Sequence, residues 1–196
     1  GDIYSPGFMR ALKGATDDVF FIPGVDRASV TSLFTPNVRF IEVVEEGFAG
    51  GNVVPAAFRG SPADLATVRE NVLKSGNVGR LVANDFRGAL IRAELLEVDP
   101  ASGQRLNYPA VAKQLEAVRA KYQSDQIDVH IIGFAKAVGD ITDGAIGVLV
   151  FFAIAFVITA ILLYLYKGSL VLTVLALACA LMPVVWLLGL LPILGY

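Results

Sequence analysis

Apolar residues recur along this chain in three rhythms. The first is helical. Phe8, Leu12, Ala15 and Val19 follow Ser5-Pro6 at spacings of three and four, Leu65, Val68 and Val72 follow Ser61-Pro62, and Val111, Leu115, Val118 and Tyr122 follow Asn107 and Pro109. Each stripe begins with a side chain that can accept a bond from a first-turn N–H, and with a proline whose missing donor costs nothing there. Asp64, three residues after Ser61, completes a capping-box-like pair. Three helices are predicted.

The second rhythm is alternation. Ile91 and Ala93 alternate with Arg92 and Glu94, and Ile127, Val129 and Ile131 alternate with Asp128 and His130. That is the pattern of half-buried strands. Strands are predicted over 28–35, 39–44, 78–83, 89–98 and 127–132. From Pro62 onward the order is helix, strand, strand, helix, strand, a βαβ unit split by a hairpin. The expected class is therefore α+β, a ferredoxin-like open sheet with its helices on one face.

The third rhythm is no rhythm. Residues 146–166 run without a charge and, at the helical rise, reach about 31 Å, the thickness of a hydrocarbon core. After Lys167-Gly168-Ser169 a second apolar run covers 170–194. Two helices joined so tightly are expected to lie antiparallel as a transmembrane hairpin, because runs without a polar face leave a soluble domain nothing to turn toward water. Tyr164 and Tyr166 beside Lys167 suit an interfacial anchor, and Lys167 favours a cytoplasmic turn. Pro183 is expected to loosen the second helix, while Thr159, Ser169 and Thr173 can bond back to their own helices.

Composition sharpens this division. The chain has 196 residues, 16 basic and 18 acidic, and beyond Asp143 the only charged residue is Lys167. Residues 1–143 thus read as an extramembrane domain and 144–196 as the membrane part. A net charge of −2 without a basic run excludes nucleic acid as a partner. The single cysteine, Cys179, lies in an apolar run and reads as a packing residue.

Candidate chemistry is sparse. His130 is the only histidine and is expected on the outer face of a strand, where alone it builds neither a metal site nor a triad. The run Gly47-Phe48-Ala49-Gly50-Gly51 lacks the following Lys-Ser/Thr of a phosphate cradle and reads as a mobile loop or turn. Glu42, Glu45 and Glu46 read as a solvated face. Asp140, Thr142 and Asp143 are expected to cap the first membrane helix. No catalytic, cofactor-binding or metal-ligating residue is assigned, no cofactor is expected, and an enzyme is not the expected class. Neither membrane run contains the Asp, Glu, His or Arg from which proton relays are built. The chain opens on Gly1 with no apolar leader before the polar domain, and it closes on Tyr196 at the exit of the second run. A piece of a longer membrane protein is expected, and with a cytoplasmic turn at Lys167 either the polar domain stays inside or an earlier membrane helix precedes it.

Particular residues carry a family resemblance. They are Phe8-Met9-Arg10-Ala11-Leu12 with Ile22-Pro23-Gly24-Val25 and Val30-Thr31-Ser32-Leu33-Phe34-Thr35, then Gly79-Arg80-Leu81-Val82-Ala83-Asn84-Asp85. His130-Ile131-Ile132-Gly133-Phe134 and Leu163-Tyr164-Leu165-Tyr166-Lys167-Gly168-Ser169 complete the set. In this order the chain resembles the RND superfamily of transporters, in its MMPL or hydrophobe-exporter branch, which includes hopanoid-associated transporters. The resemblance implies a periplasmic porter domain at 1–143, followed by the second and third helices of a twelve-helix bundle in a bacterial inner membrane. It implies proton-driven export of hydrophobic or lipid-like substrates, with the coupling carboxylates on helices outside this segment. The partners it allows are the bilayer, the lipid substrate, the remaining helices of the same protein and, in a homo-oligomer, further copies of it. Phe20, Phe21, Phe34, Phe40, Phe48 and Phe58 are then candidate walls of a lipid-sized cavity, with core packing as their alternative role. Two other functions fit the same plan, a protein-export accessory pump of the SecD/SecF type and a membrane-anchored binding or scaffold module.

Overall fold

The computed structural model describes residues 2–45 and 47–193, so Glu46 and the last residue of the second apolar run lie outside the described residues. The chain divides into two units between Asp140 and Ile141.

In the first unit the predicted caps form. Helix α1 (Pro6–Phe20) starts at Ser5, whose hydroxyl accepts from the Phe8 N–H, and it buries Met9, Leu12, Ala15, Thr16 and Val19. Helix α2 (Pro62–Lys74) carries a full capping box: Ser61 accepts from the Asp64 N–H at 3.2 Å, and the Asp64 carboxylate accepts from the Ser61 N–H at 3.1 Å. Helix α3 (Tyr108–Tyr122) is capped by Asn107, which accepts from Ala110.

Strands β1 (Val25–Thr31), β2 (Arg39–Val44), β3 (Gly47–Asn52) and β4 (Arg92–Leu95) form two antiparallel pairs. In the β1–β4 pair, Val25 faces Leu95 and Asp26 faces Glu94, with a register shift before Thr31 meets Arg92. In the β2–β3 pair, Arg39 faces Asn52 and Val44 faces Gly47. The unit is α+β with two small sheets rather than one open ferredoxin-like sheet.

Local hydrogen bonds explain where the expected strands shorten. Strand 28–35 stops at Thr31 because Ser32 and Thr35 bond to each other in a turn, the Thr35 hydroxyl accepting from the Ser32 N–H at 2.9 Å. Across 78–83 the N–H groups of Leu81 and Val82 turn back to the Asn77 carbonyl, so only isolated bridges remain. In the 89–98 segment, Leu90 donates to Leu81 and Val98 bridges to Arg105, which leaves Arg92–Leu95 as the paired part. Residues 128–132 join no ladder among the described residues, and beyond a bridge between Ser124 and Ile127 they form neither helix nor strand. Their alternation is nevertheless the expected one, with Val129 and Ile131 half-buried and Asp128 and His130 exposed. The glycine run expected as a loop is instead β3. Gly50 fits that strand because any Cβ there would lie 2.5 Å from the Phe40 carbonyl oxygen, so the two strands approach as closely as they do only with glycine at this place.

Two apolar clusters hold the unit together. One gathers Ile3, Met9, Leu33, Val53, Val68 and Val72 between α1 and α2, and the other gathers Val19, Ile22, Val25, Leu106 and Val111 between α1, β1 and α3. At about 1.5–3 kcal/mol for each fully buried aliphatic side chain, these clusters supply the main force for folding. Most of their polar groups are bonded, although the hydroxyl of Tyr4, which packs against the first cluster, is buried with no hydrogen-bond partner among the described residues. Thr16 and Ser32 share a buried hydroxyl–hydroxyl bond of 2.8 Å, and the Asn71 amide donates to the Val53 carbonyl at 3.0 Å.

Helix α4 (Phe134–Lys167) begins earlier than expected, before the unit boundary. Asp140, Thr142 and Asp143 therefore sit inside it rather than at its cap, and Asp140 pairs with Lys136 one turn back. At Gly139 a Cβ would lie 2.5 Å from the Ala112 Cβ, so the start of α4 lies tight against α3 through two small residues. In the second unit α5 (Leu170–Ile193) follows Gly168 and Ser169 and stays helical through Pro183. Thr159 and Thr173 bond back to the carbonyls of Ala155 and Ser169. Both α4 and α5 are long and apolar enough to cross a membrane, and the apolar window of α4 contains no buried residue. Such surfaces support a membrane protein, because in water they would remain as large unpartnered apolar patches.

Candidate functional site

The first unit contains a cleft of about 810 Å³. Its walls come from four places: Phe8, Ala11 and Ala15 of α1, the stretch 89–95 that includes β4, Leu115 and Val118 of α3, and the stretch 127–136 that runs into the following helix. The helical spacing of α1 sets Leu12, Ala15 and Val19 at the base of the cleft, buried, with Phe8 and Ala11 half-buried beside them. The apolar alternation of 127–131 supplies the facing wall. The interior is thus aliphatic and aromatic.

Most charged groups of the lining are paired, either with each other or with Glu116, which stands outside the lining. Arg92 bonds Glu94 at 3.2 Å, and Lys136 and Arg119 both reach Glu116, at 2.8 and 3.4 Å. Paired charges bordering an apolar interior favour a ligand that is mostly hydrocarbon, since neither sign is left in excess to hold a strongly charged group. His130 borders the cleft and is exposed, as its place in the alternation predicts.

One latch closes the end of this architecture. Asp18, in the last turn of α1, accepts from Lys121 at 2.7 Å and from the Tyr122 hydroxyl at 2.8 Å, both at the end of α3. The Lys121 bond, aided by that from Tyr122, holds the Asp18 carboxyl below its ordinary range against the opposing effect of burial. A carboxylate with a lowered folded-state value contributes stability that is complete above the unfolded value and is lost as the pH falls through the folded one. The Asp18→Asn variant should therefore unfold at a lower temperature than the parent at pH 7. The difference should shrink below about pH 4, where the parent carboxyl also takes up a proton. Thermal unfolding at several pH values measures it, and a pH-independent difference would remove the ionic part of the latch.

The six candidate wall phenylalanines lie elsewhere. Phe34 and Phe58 meet edge to face at 6.0 Å against the first core cluster, and Phe20 and Phe21 meet at 5.3 Å beneath the Arg27 guanidinium. Phe40 is half-buried over Gly51, and Phe48 is exposed on β3. The aromatic side chains that do line the cleft are Phe8, Tyr108, Tyr122 and Phe134. A residue-type search missed them; their signal was the helical stripe of α1 and α3. Glu42 pairs with Lys74 and Glu45 is exposed. Among the described residues no group of three His, Cys, Asp or Glu is arranged to hold a metal ion.

No family model, curated protein or solved structure matches the chain.

Proposed function

We propose that this chain is part of an RND-type transporter of the hydrophobe-exporter kind, in which residues 1–143 form a periplasmic porter domain beside a bacterial inner membrane. The observation that carries this reading is an apolar cleft of about 810 Å³ in an α+β unit whose chain continues into two membrane-length helices. A cavity of that size and lining suits a lipid-like molecule, and the two helices place its chain where such molecules reside. The order of the units and the residues quoted for the resemblance support the same reading. In it the cleft passes the substrate and the helices belong to a larger bundle. Energy comes from proton flow through carboxylates on that bundle's other helices, since the two apolar runs here hold no acidic residue.

The test is efflux of an apolar fluorescent dye from cells that express the full-length protein. Efflux above background that stops when a protonophore collapses the gradient is the expected result. Dye retention equal to that of cells lacking the protein would overturn the transporter reading. Export of a secretory reporter protein in place of dye would point to an accessory pump of the SecD/SecF type. Dye binding without efflux would point to an anchored binding module.

A further inference from the structure

The β2–β3 hairpin presents an unusual face. Ile41, Val43 and Phe48 are 69%, 81% and 82% exposed, although all three are large and apolar. They share one side, because Val43 and Phe48 are cross-strand partners and Ile41 lies two residues from Val43. The opposite side is occupied, with Glu42 paired to Lys74 of α2 and Phe40 half-buried. The sheet has two strands only, and outside its ladder with β3 the backbone of β2 makes no hydrogen bond among the described residues. Its outer edge is a row of free donors and acceptors. Folded proteins usually blunt such an edge with charges, a proline or a bulge; β2 has neither proline nor bulge, and of its charges Glu42 is turned to Lys74 of α2 while Arg39 sits at the strand's start.

The sequence of this edge complements itself. Written from Arg39 to Glu45 it reads Arg-Phe-Ile-Glu-Val-Val-Glu, with a cation at one end and an anion at the other. Two copies of β2 laid antiparallel about Glu42 bring Arg39 opposite Glu45 of the second copy at both ends of the ladder. On the same exposed face they bring Ile41 opposite Val43 twice. Opposite charges and paired β-branched side chains are the cross-strand combinations that stabilise antiparallel ladders. The one like-charge meeting, Glu42 with itself, is offset because each carboxylate already pairs with its own Lys74. An acidic tip at Glu45 makes docking onto an anionic bilayer the poorer use of this face.

We infer that the β2 edge joins two copies of this chain into a two-fold dimer, forming a continuous four-stranded sheet β3–β2–β2–β3. The contact is isologous, as a two-fold axis requires. A ladder this short buries less than the roughly 1,200 Å² typical of stable complexes in solution, so it acts on molecules that a membrane already concentrates. This inference does not depend on what the cleft carries.

Disulfide trapping in native membranes tests it, using the full-length protein with Cys179→Ala. Glu42→Cys lies on the two-fold axis, where facing Cβ atoms approach to disulfide distance, and it should give a cross-linked dimer. Phe48→Cys, one strand further out on each side, should not. Mixed Ile41→Cys and Val43→Cys chains should also cross-link, which covers the case in which loss of Glu42 perturbs the hairpin. Adding Arg39→Glu should cut trapping at least tenfold, and Arg39→Glu with Glu45→Arg should restore it, a rescue that mere unfolding cannot produce. Absence of both cross-links, equal trapping through Phe48→Cys, or failure of the charge exchange to rescue would each overturn the dimer. Binding of the hairpin to anionic vesicles in place of cross-linking would do so as well.

Discussion

The Met9→Ala variant is expected to lose about 2–5 kcal/mol of stability in the α+β unit, the usual result of removing a long side chain from a closed core. Met9 has no exposed surface, and it belongs to the cluster that ties α1 to α2 through Val68 and Val72. The neighbours are held by the helices on either side, so they cannot collapse far into the space left behind. Against the small net stability of a folded domain a loss of this size is large. Hydrogen exchange on the full-length protein reads it locally: the amides of α1 and α2 should exchange faster, while those of α5 should keep the parent rate. Uniform acceleration across both units would contradict the division of the chain between Asp140 and Ile141.

The second large effect concerns the cleft. Ala11 and Ala93 line it from α1 and β4, and both are only half-buried, so a larger side chain at either place can extend into the open volume, even though Ala93 also touches the second core cluster. The double variant Ala11→Trp with Ala93→Trp should reduce binding of an apolar fluorescent probe tenfold or more and leave the unfolding temperature within a few degrees of the parent. A tenfold loss corresponds to about 1.4 kcal/mol, a modest demand for two rings occupying the place of a ligand. Retained affinity with unchanged stability would show that the probe binds elsewhere.

The parts of this architecture that were legible in the sequence are those governed by nearest neighbours. Ser5, Ser61 and Asn107 announced three helix starts, because a cap and a proline act within one turn. The limits of β2 were legible for a similar reason, since Arg39–Val44 is bounded by turns on both sides. The two apolar runs were legible from length alone, although α4 extends back to Phe134 because its first turns are stabilised by packing against α3. What failed depended on partners distant in sequence. The glycine run of β3 gains its extended form from contact with Phe40, and the 127–132 segment has the alternation of a strand without an edge to join.

The cleft followed the same division. Its walls were present in the sequence as the stripe of α1, the stripe of α3 and the alternation of Ile127, Val129 and Ile131. Their convergence was not visible, because it depends on how α1 and α3 are held together at Asp18 and at Gly14, where a Cβ would lie 2.5 Å from the Tyr122 hydroxyl. Choosing wall residues by type led to six phenylalanines that pack in the core or face outward. Choosing them by helical phase would have found Phe8 and Leu115.

The central claim is that this cleft holds the apolar substrate of a membrane exporter. Its most direct measurement is photo-crosslinking in intact cells, with a photoreactive amino acid placed at Val118 in the wall of the cleft and, for comparison, at Asp125 on the exposed turn after α3. Mass spectrometry of the purified full-length protein should find a lipid or other hydrocarbon-rich adduct at position 118 and none at 125. A peptide adduct at 118, or lipid adducts equally abundant at both positions, would contradict the account.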